Sequence, residues 1–404
     1  MNPILTVGLI ISFGFICGEI AERIKLPKVT GFILAGVLLN PGFAGFIPKN
    51  FSDHTDVVTN ISLCFITFSV GGTLLRSKIK QLGKSITFIT FFEAEGAFLT
   101  VILGFILFGS YIFRLSGVDW QSMFLPLSLL LGALASPTDP SATLAVSHEY
   151  KAKGEVSSTI MGVAAFDDAL GLMNFSLASA FSIMLIAGRS FDVATSVLGP
   201  LIVIAGAALL GVVCGIAFNA VTGFVKREGE GVLIVLIFAF LCLCFGIASY
   251  LKVDELLSTM TMGIVVVNFN FRHEEIFRVL ERYTEELIFV FFFTLSGMHF
   301  QFGIFKMVLI PVFSFAVLRT IGKLWGTRLG AELAHSSPKV KKYTALGLVP
   351  QGGIVVGLAL LARQNPAFGS LSTIMINVVI GATVIHELIG PVLIKFTLRK
   401  AGEI

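Results

Sequence analysis

Apolar runs follow one another along nearly the whole of this chain, separated only by short polar gaps. A run of about 20 residues crosses a bilayer as a helix, and in hydrocarbon every backbone N–H and C=O must find its partner within the protein. That constraint leaves one fold class open, an all-α polytopic membrane protein. Thirteen transmembrane helices are expected, at about 3–22, 28–40, 55–75, 85–113, 122–147, 156–187, 193–224, 231–251, 255–271, 285–302, 306–333, 343–363 and 370–396. Only 13% of the 404 residues are charged and the mean hydropathy is +0.91, where a soluble domain carries about 25% charged residues. No soluble domain of ordinary size fits between the runs, so 1–404 is expected to be a single transmembrane domain. The first run lacks a basic leader and a small-residue cleavage site, and is expected to be a span. Cys17, Cys64, Cys214, Cys242 and Cys244 all lie in apolar runs without zinc spacing, which suggests neither a disulfide framework nor a structural metal. The net charge of +4 comes mostly from loops and requires no nucleic-acid partner.

Lysine and arginine set the expected orientation. Loops after odd-numbered spans carry 21 of them and loops after even-numbered spans carry 6. The positive-inside tendency then places the N-terminus outside and the C-terminus in the cytoplasm, in a cell (inner) membrane. An internal repeat is visible as well. Gly36-Val37-Leu38-Leu39-Asn40 at the end of span 2 resembles Gly263-Ile264-Val265-Val266-Val267-Asn268 at the end of span 9, and Phe68-Ser69-Val70-Gly71-Gly72 in span 3 resembles Phe293-Thr294-Leu295-Ser296-Gly297 in span 10. The offset of seven spans is odd, so the two repeats, about 1–187 and 231–404 with a linker helix at 193–224, have opposite topology. The same offset matches span 5 to span 12. Span 5 carries Ser136-Pro137-Thr138-Asp139-Pro140 and span 12 carries Pro350-Gln351-Gly352-Gly353. Proline removes a backbone donor and disturbs a helix; paired interruptions in corresponding halves point to the binding site of a secondary transporter. Two discontinuous, crossing helices are therefore expected, broken at Pro137, Pro140, Pro350, Gly352 and Gly353.

Asp167 and Asp168 stand side by side inside span 6. One carboxylate at bilayer depth costs about 2.5–3.5 kcal/mol on insertion scales, and such residues usually mark ion pathways or proton relays. Successive helical residues point about 100° apart, so the two face different neighbours and take different roles. One is expected to be neutralised by a fixed cation. Arg319, about 13 residues or roughly 20 Å from each end of span 11, is the candidate, because span 11 is the repeat mate of span 4 and arginine stays protonated. Lys323, one turn on, is placed to pair with Glu93 or Glu95. The other carboxylate is expected to bind the ion. A dehydrated Na+ or K+ wants several oxygens, and Asp168, Asp139, Thr138 and Ser136 form the suggested shell. A buried carboxylate without a cation partner holds its proton more tightly, so proton and metal ion compete for it.

These residues resemble a family. The Asp-Asp helix, the Ser-Pro-Thr-Asp-Pro break, Leu26-Pro27…Gly31…Ala35-Gly36 and Gly347-Leu348-Val349-Pro350-Gln351-Gly352-Gly353 are similar to the monovalent cation:proton antiporters, in particular the second branch with its NapA-type bacterial Na+/H+ antiporters. The resemblance covers essentially the whole chain, and the Asp-Asp motif is its most specific part. It implies an inverted-repeat fold of the NhaA/NapA kind, no cofactor beyond the transported Na+ (or K+ or Li+) and H+, and a homodimer. It also implies Asp168 as the ion- and proton-binding carboxylate, Asp167 as the one held by a basic residue of span 11, and alternating access by a moving core. Three features depart from the branch. Arg319 stands where electrogenic Asp-Asp members have lysine, Thr138-Asp139-Pro140 is closer to the first branch, and the chain reaches Ile404 without the nucleotide-binding domain that many members carry.

The expected function is thus secondary antiport of a monovalent cation, with Na+ favoured, against H+, and no enzymatic activity. One-for-one exchange is expected because Arg319 does not deprotonate. A K+/H+ antiporter and a cation-coupled solute symporter are the alternatives. An intramembrane aspartyl protease needs two aspartates facing each other across a shared water, which neighbours on one helix do not provide, and no channel filter of the Thr-Val-Gly-Tyr-Gly kind is present. His148, His273 and His335 fall in loops. His386-Glu387 is a polar pair inside span 13 and a candidate proton or salt-bridge element.

Overall fold

A computed structural model describes residues 3–24, 26–42, 55–77, 83–113, 123–139, 143, 146, 150–187, 199–224, 229–300, 302–352 and 354–404; Pro140, Gly353 and His148 lie outside the described residues. Every regular element among these residues is helical, as the absence of water from hydrocarbon requires. In order they are α1 (Pro3–Arg23), α2 (Lys28–Leu39), α3 (Asp56–Thr73), α4 (Gly83–Phe113), α5 (Leu125–Ala135), α6 (Glu155–Ala164), α7 (Asp167–Ile186), α8 (Gly199–Phe224), α9 (Glu230–Leu251), α10 (Glu255–Phe269), α11 (His273–Leu280), α12 (Glu286–Met298), α13 (Phe302–Leu333), α14 (Pro338–Gly347), α15 (Ile354–Gln364) and α16 (Gly369–Ala401). Eight helical stretches are long and apolar enough to cross a membrane, and five shorter apolar helices accompany them. These thirteen correspond one for one to the expected spans.

Two of the differences are local. Span 6 is not one uninterrupted helix: α6 stops at Ala164, Phe166 takes φ −120°, and α7 starts at Asp167. Where a loop is expected after span 9, α11 forms and buries Ile276, Val279 and Leu280.

The helices fall into two compact units, neither continuous in sequence. One comprises Met1–Asp56, Leu82–Gly188 and Val290–Ile404; the other comprises Val57–Gln81 and Arg189–Phe289. In the second unit, Phe65 and Phe68 of α3, Phe218 of α8, Leu233, Ile237 and Leu241 of α9 and Met262 and Val266 of α10 make the core, with Ile276 and Val279 of α11. The opposite face of α8 exposes Ile202, Leu209, Val213 and Ile216.

Each unit contains one copy of the same helix crossing. In the first unit α2 meets α12 at Gly36 and Gly297; in the second α3 meets α10 at Gly71 and Gly263. In every case a methyl on the glycine would strike the partner's backbone, at the carbonyl three residues before its glycine and at that glycine's Cα. Asparagines lock both crossings. Asn40 Nδ2 donates to Met298 O and Phe300 O at 2.6 Å, and Asn268 Nδ2 donates to Leu74 O at 3.0 Å. Spans 2 and 10 thus repeat as spans 9 and 3, the exchange that an inverted repeat produces. The contacts align Gly297 with Gly71, one residue away from the register that the matching strings suggest.

The first unit is built on α4 and α13. Gly96 and Ala97 face Gly322 and Gly326, and Gly330 lies against the backbone of Phe88 and Ile89. Small residues at four-residue spacing let two membrane helices touch backbone to backbone. A Gly297→Leu or Gly263→Leu variant should lose about 1–3 kcal/mol through overpacking and melt lower in detergent, whereas Gly223→Leu, where a Cβ meets nothing within 4 Å, should melt like the parent.

Candidate functional site

Two helices end inside the first unit without a continuing turn. α5 stops at Ala135 and α14 stops at Gly347, and the segments that follow lie against each other. The Asp139 amide donates to Pro350 O at 3.2 Å, Thr138 Oγ1 to Leu348 O at 3.3 Å and Gln351 Nε2 to Leu134 O at 2.7 Å. The expected pair of broken, crossing spans is therefore present, with Pro137 and Pro350 in the breaks. Gly171 of α7 leaves room for the Pro137 ring, and Gly390 of α16 for the Pro350 ring.

The last carbonyls of a helix lack intrahelical partners and carry its negative dipole end. Here carbonyls at and just beyond both helix ends converge on one side chain. Arg319 of α13, fully buried, donates from Nε to Ala135 O (3.0 Å), from Nη1 to Val349 O (2.5 Å) and from Nη2 to Pro137 O (2.6 Å) and Pro350 O (3.3 Å). Five donors in a planar fork suit that task.

The ion pair expected between Arg319 and Asp167 is made by Lys323 instead. Its ammonium lies 3.3 Å from Asp167 Oδ2 and 2.6 Å from Glu93 Oε2, and all three side chains are fully buried. It also donates to Ser136 O and, at 2.7 Å, to Thr138 Oγ1. The reason is reach: Arg319 is already drawn to the helix ends, and the next turn of α13 faces α4 and the start of α7. Of the two acids considered for Lys323, Glu93 is the partner, and Glu95 accepts instead from Asn174 Nδ2 at 3.1 Å.

Asp167 and Asp168 occupy the first turn of α7, where a helix dipole favours negative charge. Their surroundings differ. Asp167 is fully buried against Lys323, while Asp168 keeps partial exposure and has no hydrogen bond or ion pair among the described residues. Asp139 is buried and lies within electrostatic reach of Asp168. Ser136 and Thr138 are also at the crossing, but largely committed: Ser136 Oγ donates to Ala94 O and accepts from Asn174 Nδ2, and the Thr138 hydroxyl accepts from Lys323. The arrangement is a buried, cation-braced scaffold beside one carboxylate that is only partly buried.

Asn174 and Gln351 are site residues that sequence reasoning passed over. Asp167, Gly171 and Asn174 recur at i, i+4 and i+7, one face of a helix, and that face meets the α5 break. Gln351 joins that break to His386, whose Nδ1 lies 2.9 Å from Gln351 Oε1.

With this geometry in hand, the similarities to known proteins are informative. A family described as "Sodium/hydrogen exchanger, transmembrane" matches residues 8–400. The Na(+)/H(+)-K(+) antiporter GerN of Bacillus cereus is 21% identical, over 97% of this chain and 95% of its own length. The probable Na(+)/H(+) antiporter GerT of the same organism is 23% identical, over 87% and 90%. The structure of the sodium proton antiporter MjNhaP1 from Methanocaldococcus jannaschii has a TM-score of 0.75 at 21% identity, with 98% of each chain covered, which shows a shared fold.

Removing Lys323 would leave Glu93 and Asp167 buried without a counter-charge, a loss of about 3–5 kcal/mol. Lys323→Met should melt well below the parent in detergent, and Lys323→Met with Glu93→Gln should recover part of the difference. Equal melting of the single and double variants would show that the pair is not coupled.

Proposed function

The chain belongs to the sodium/hydrogen exchanger family, and from that premise we propose that it exchanges Na+ for H+ by alternating access, with both ions competing at Asp168. The observation that carries this reading is the contrast between the neighbouring aspartates. Asp167 is sealed and paired with Lys323, whereas Asp168 is partly exposed and has no ion pair among the described residues. A carboxylate in that position takes a proton or a dehydrated cation, and either excludes the other. Asp139 is the second acidic ligand from the α5 break, with Thr138 and Ser136 supplying further oxygen. No resident cofactor takes part.

K+ in place of Na+ is the second reading, favoured by the similarity to GerN, a Na(+)/H(+)-K(+) antiporter. The one-for-one expectation rested on Arg319 as the partner of Asp167. With Lys323 in that place the premise is gone. The 21-to-6 division of basic residues supports a C-terminus in the cytoplasm and an N-terminus outside a cell membrane. A homodimer in the lipid bilayer completes the reading by analogy with the wider family.

Acid-loaded proteoliposomes with clamped membrane potential test the core claim. Adding Na+, K+ or Li+ should release protons for at least one cation, and Asp168→Asn should abolish the response while purifying as a folded protein. Asp167→Asn should keep measurable exchange, because its part is to hold Lys323. A normal rate in Asp168→Asn would place the ion site elsewhere, and silence toward all three cations would turn attention to a solute symporter.

A further inference from the structure

Glu387 lies in the middle of α16 and is fully buried. The backbone N–H of Gln351 faces it, and among the described residues neither carboxylate oxygen reaches a partner at full hydrogen-bond geometry. A buried carboxylate left in that condition is strongly unfavourable, and an apolar residue would fill the same space without that cost.

What faces Glu387 explains the placement. Across Gly352 stands Asp139: a methyl on Gly352 would overlap Asp139 Oδ2 and sit 3.3 Å from Glu387 Oε1. The missing side chain keeps a narrow gap between two acids, one from the α5 break and one from α16. From α13, Arg319 is within electrostatic reach of Glu387, but its N–H groups are already donated to four carbonyls. On α16 itself, His386 turns Nδ1 to Gln351, and the backbone of Ala316 lies against the same ring. Asp139 in turn interacts electrostatically with Asp168. Asp139 thus neighbours both Asp168 and Glu387. Among the described residues no three His, Cys, Asp or Glu side chains converge on one metal position, so a position here is formed by a pair of acids.

Charge leads to the same place. Lys323 is shared by Glu93 and Asp167, and Arg319, the cation within electrostatic reach of Glu387, gives its N–H groups to carbonyls. Like charges in a medium of low dielectric repel strongly, and a small monovalent cation between them relieves that repulsion. We propose that Asp139 and Glu387 form a second binding position for the transported monovalent cation, adjacent to the Asp168 position. The inference rests on the antiporter reading above. It adds a ligand from span 13 and gives the ion a further place to stand inside the crossing.

The test uses purified full-length protein and the same protein in proteoliposomes, with Na+, K+ or Li+ replacing choline at constant ionic strength. In choline, Glu387→Gln should melt at or above the parent, because a buried unpaired charge has been removed. The cation-dependent rise in melting temperature should shrink, and the cation concentration for half-maximal exchange should rise about tenfold or more. Glu387→Asp should fall between Glu387→Gln and the parent. A Glu387→Gln protein with the parent's cation-dependent melting and half-maximal concentration overturns the proposal. So does one that melts below the parent in choline, which would make the carboxylate a structural group. If the parent itself responds to none of the three cations, the antiporter reading fails, and that result is distinct from either of these.

Discussion

Two helices that stop in the middle of a membrane protein present carbonyls with nowhere to go. Everything at the crossing follows from how those carbonyls are satisfied. Arg319 reaches both ends at once, taking two carbonyls from each break, and Lys323 one turn on takes the Ser136 carbonyl together with two carboxylates. The chemistry of the two cations matches the division. A guanidinium spreads its donors in a plane and serves scattered acceptors, while an ammonium is a compact charge that suits converging carboxylates. Without these two side chains the breaks would expose unsatisfied backbone in a dry interior, at several kcal/mol per group.

Only against that braced background does Asp168 become distinctive. Glu93, Asp139, Asp167 and Glu387 are all buried; Asp168 keeps partial access from the same helix turn that seals Asp167. Adjacent positions on one helix thus give one carboxylate a buried cation partner and leave the other partly exposed. The interruption of span 6 sharpens the division, since it puts both aspartates at a helix start, where their charge is favoured.

Much of this architecture is written in the sequence. The thirteen spans follow from hydropathy because hydrocarbon forces a helix on every crossing segment, and the prolines at 137 and 350 mark the breaks because they remove the donor that continues a helix. The repeat is legible through glycines that a close crossing cannot replace, although the strings misplace its register by one residue. Other features depend on the third dimension. Arg319 and Lys323 are separated by one turn, and nothing in the linear sequence says which meets the helix ends and which meets Asp167. The stop at Ala164 had a signal, two acids opening an apolar helix, but the surrounding apolar residues conceal it. Gln351 and Asn174 are polar residues whose partners lie far away in sequence, so their roles become visible only once the breaks have crossed.

The glycine stripe between α4 and α13 has a mechanical consequence. Helices that slide past one another do so by letting side chains change rotamers at their contact. Gly96, Gly322, Gly326 and Gly330 have no side chains to change, and the two backbones touch directly. The pair therefore behaves as one beam, and it carries Glu93 on one member and Lys323 and Arg319 on the other. The Glu93–Lys323 ion pair spans the two members, so its distance is set by a contact that only glycine permits.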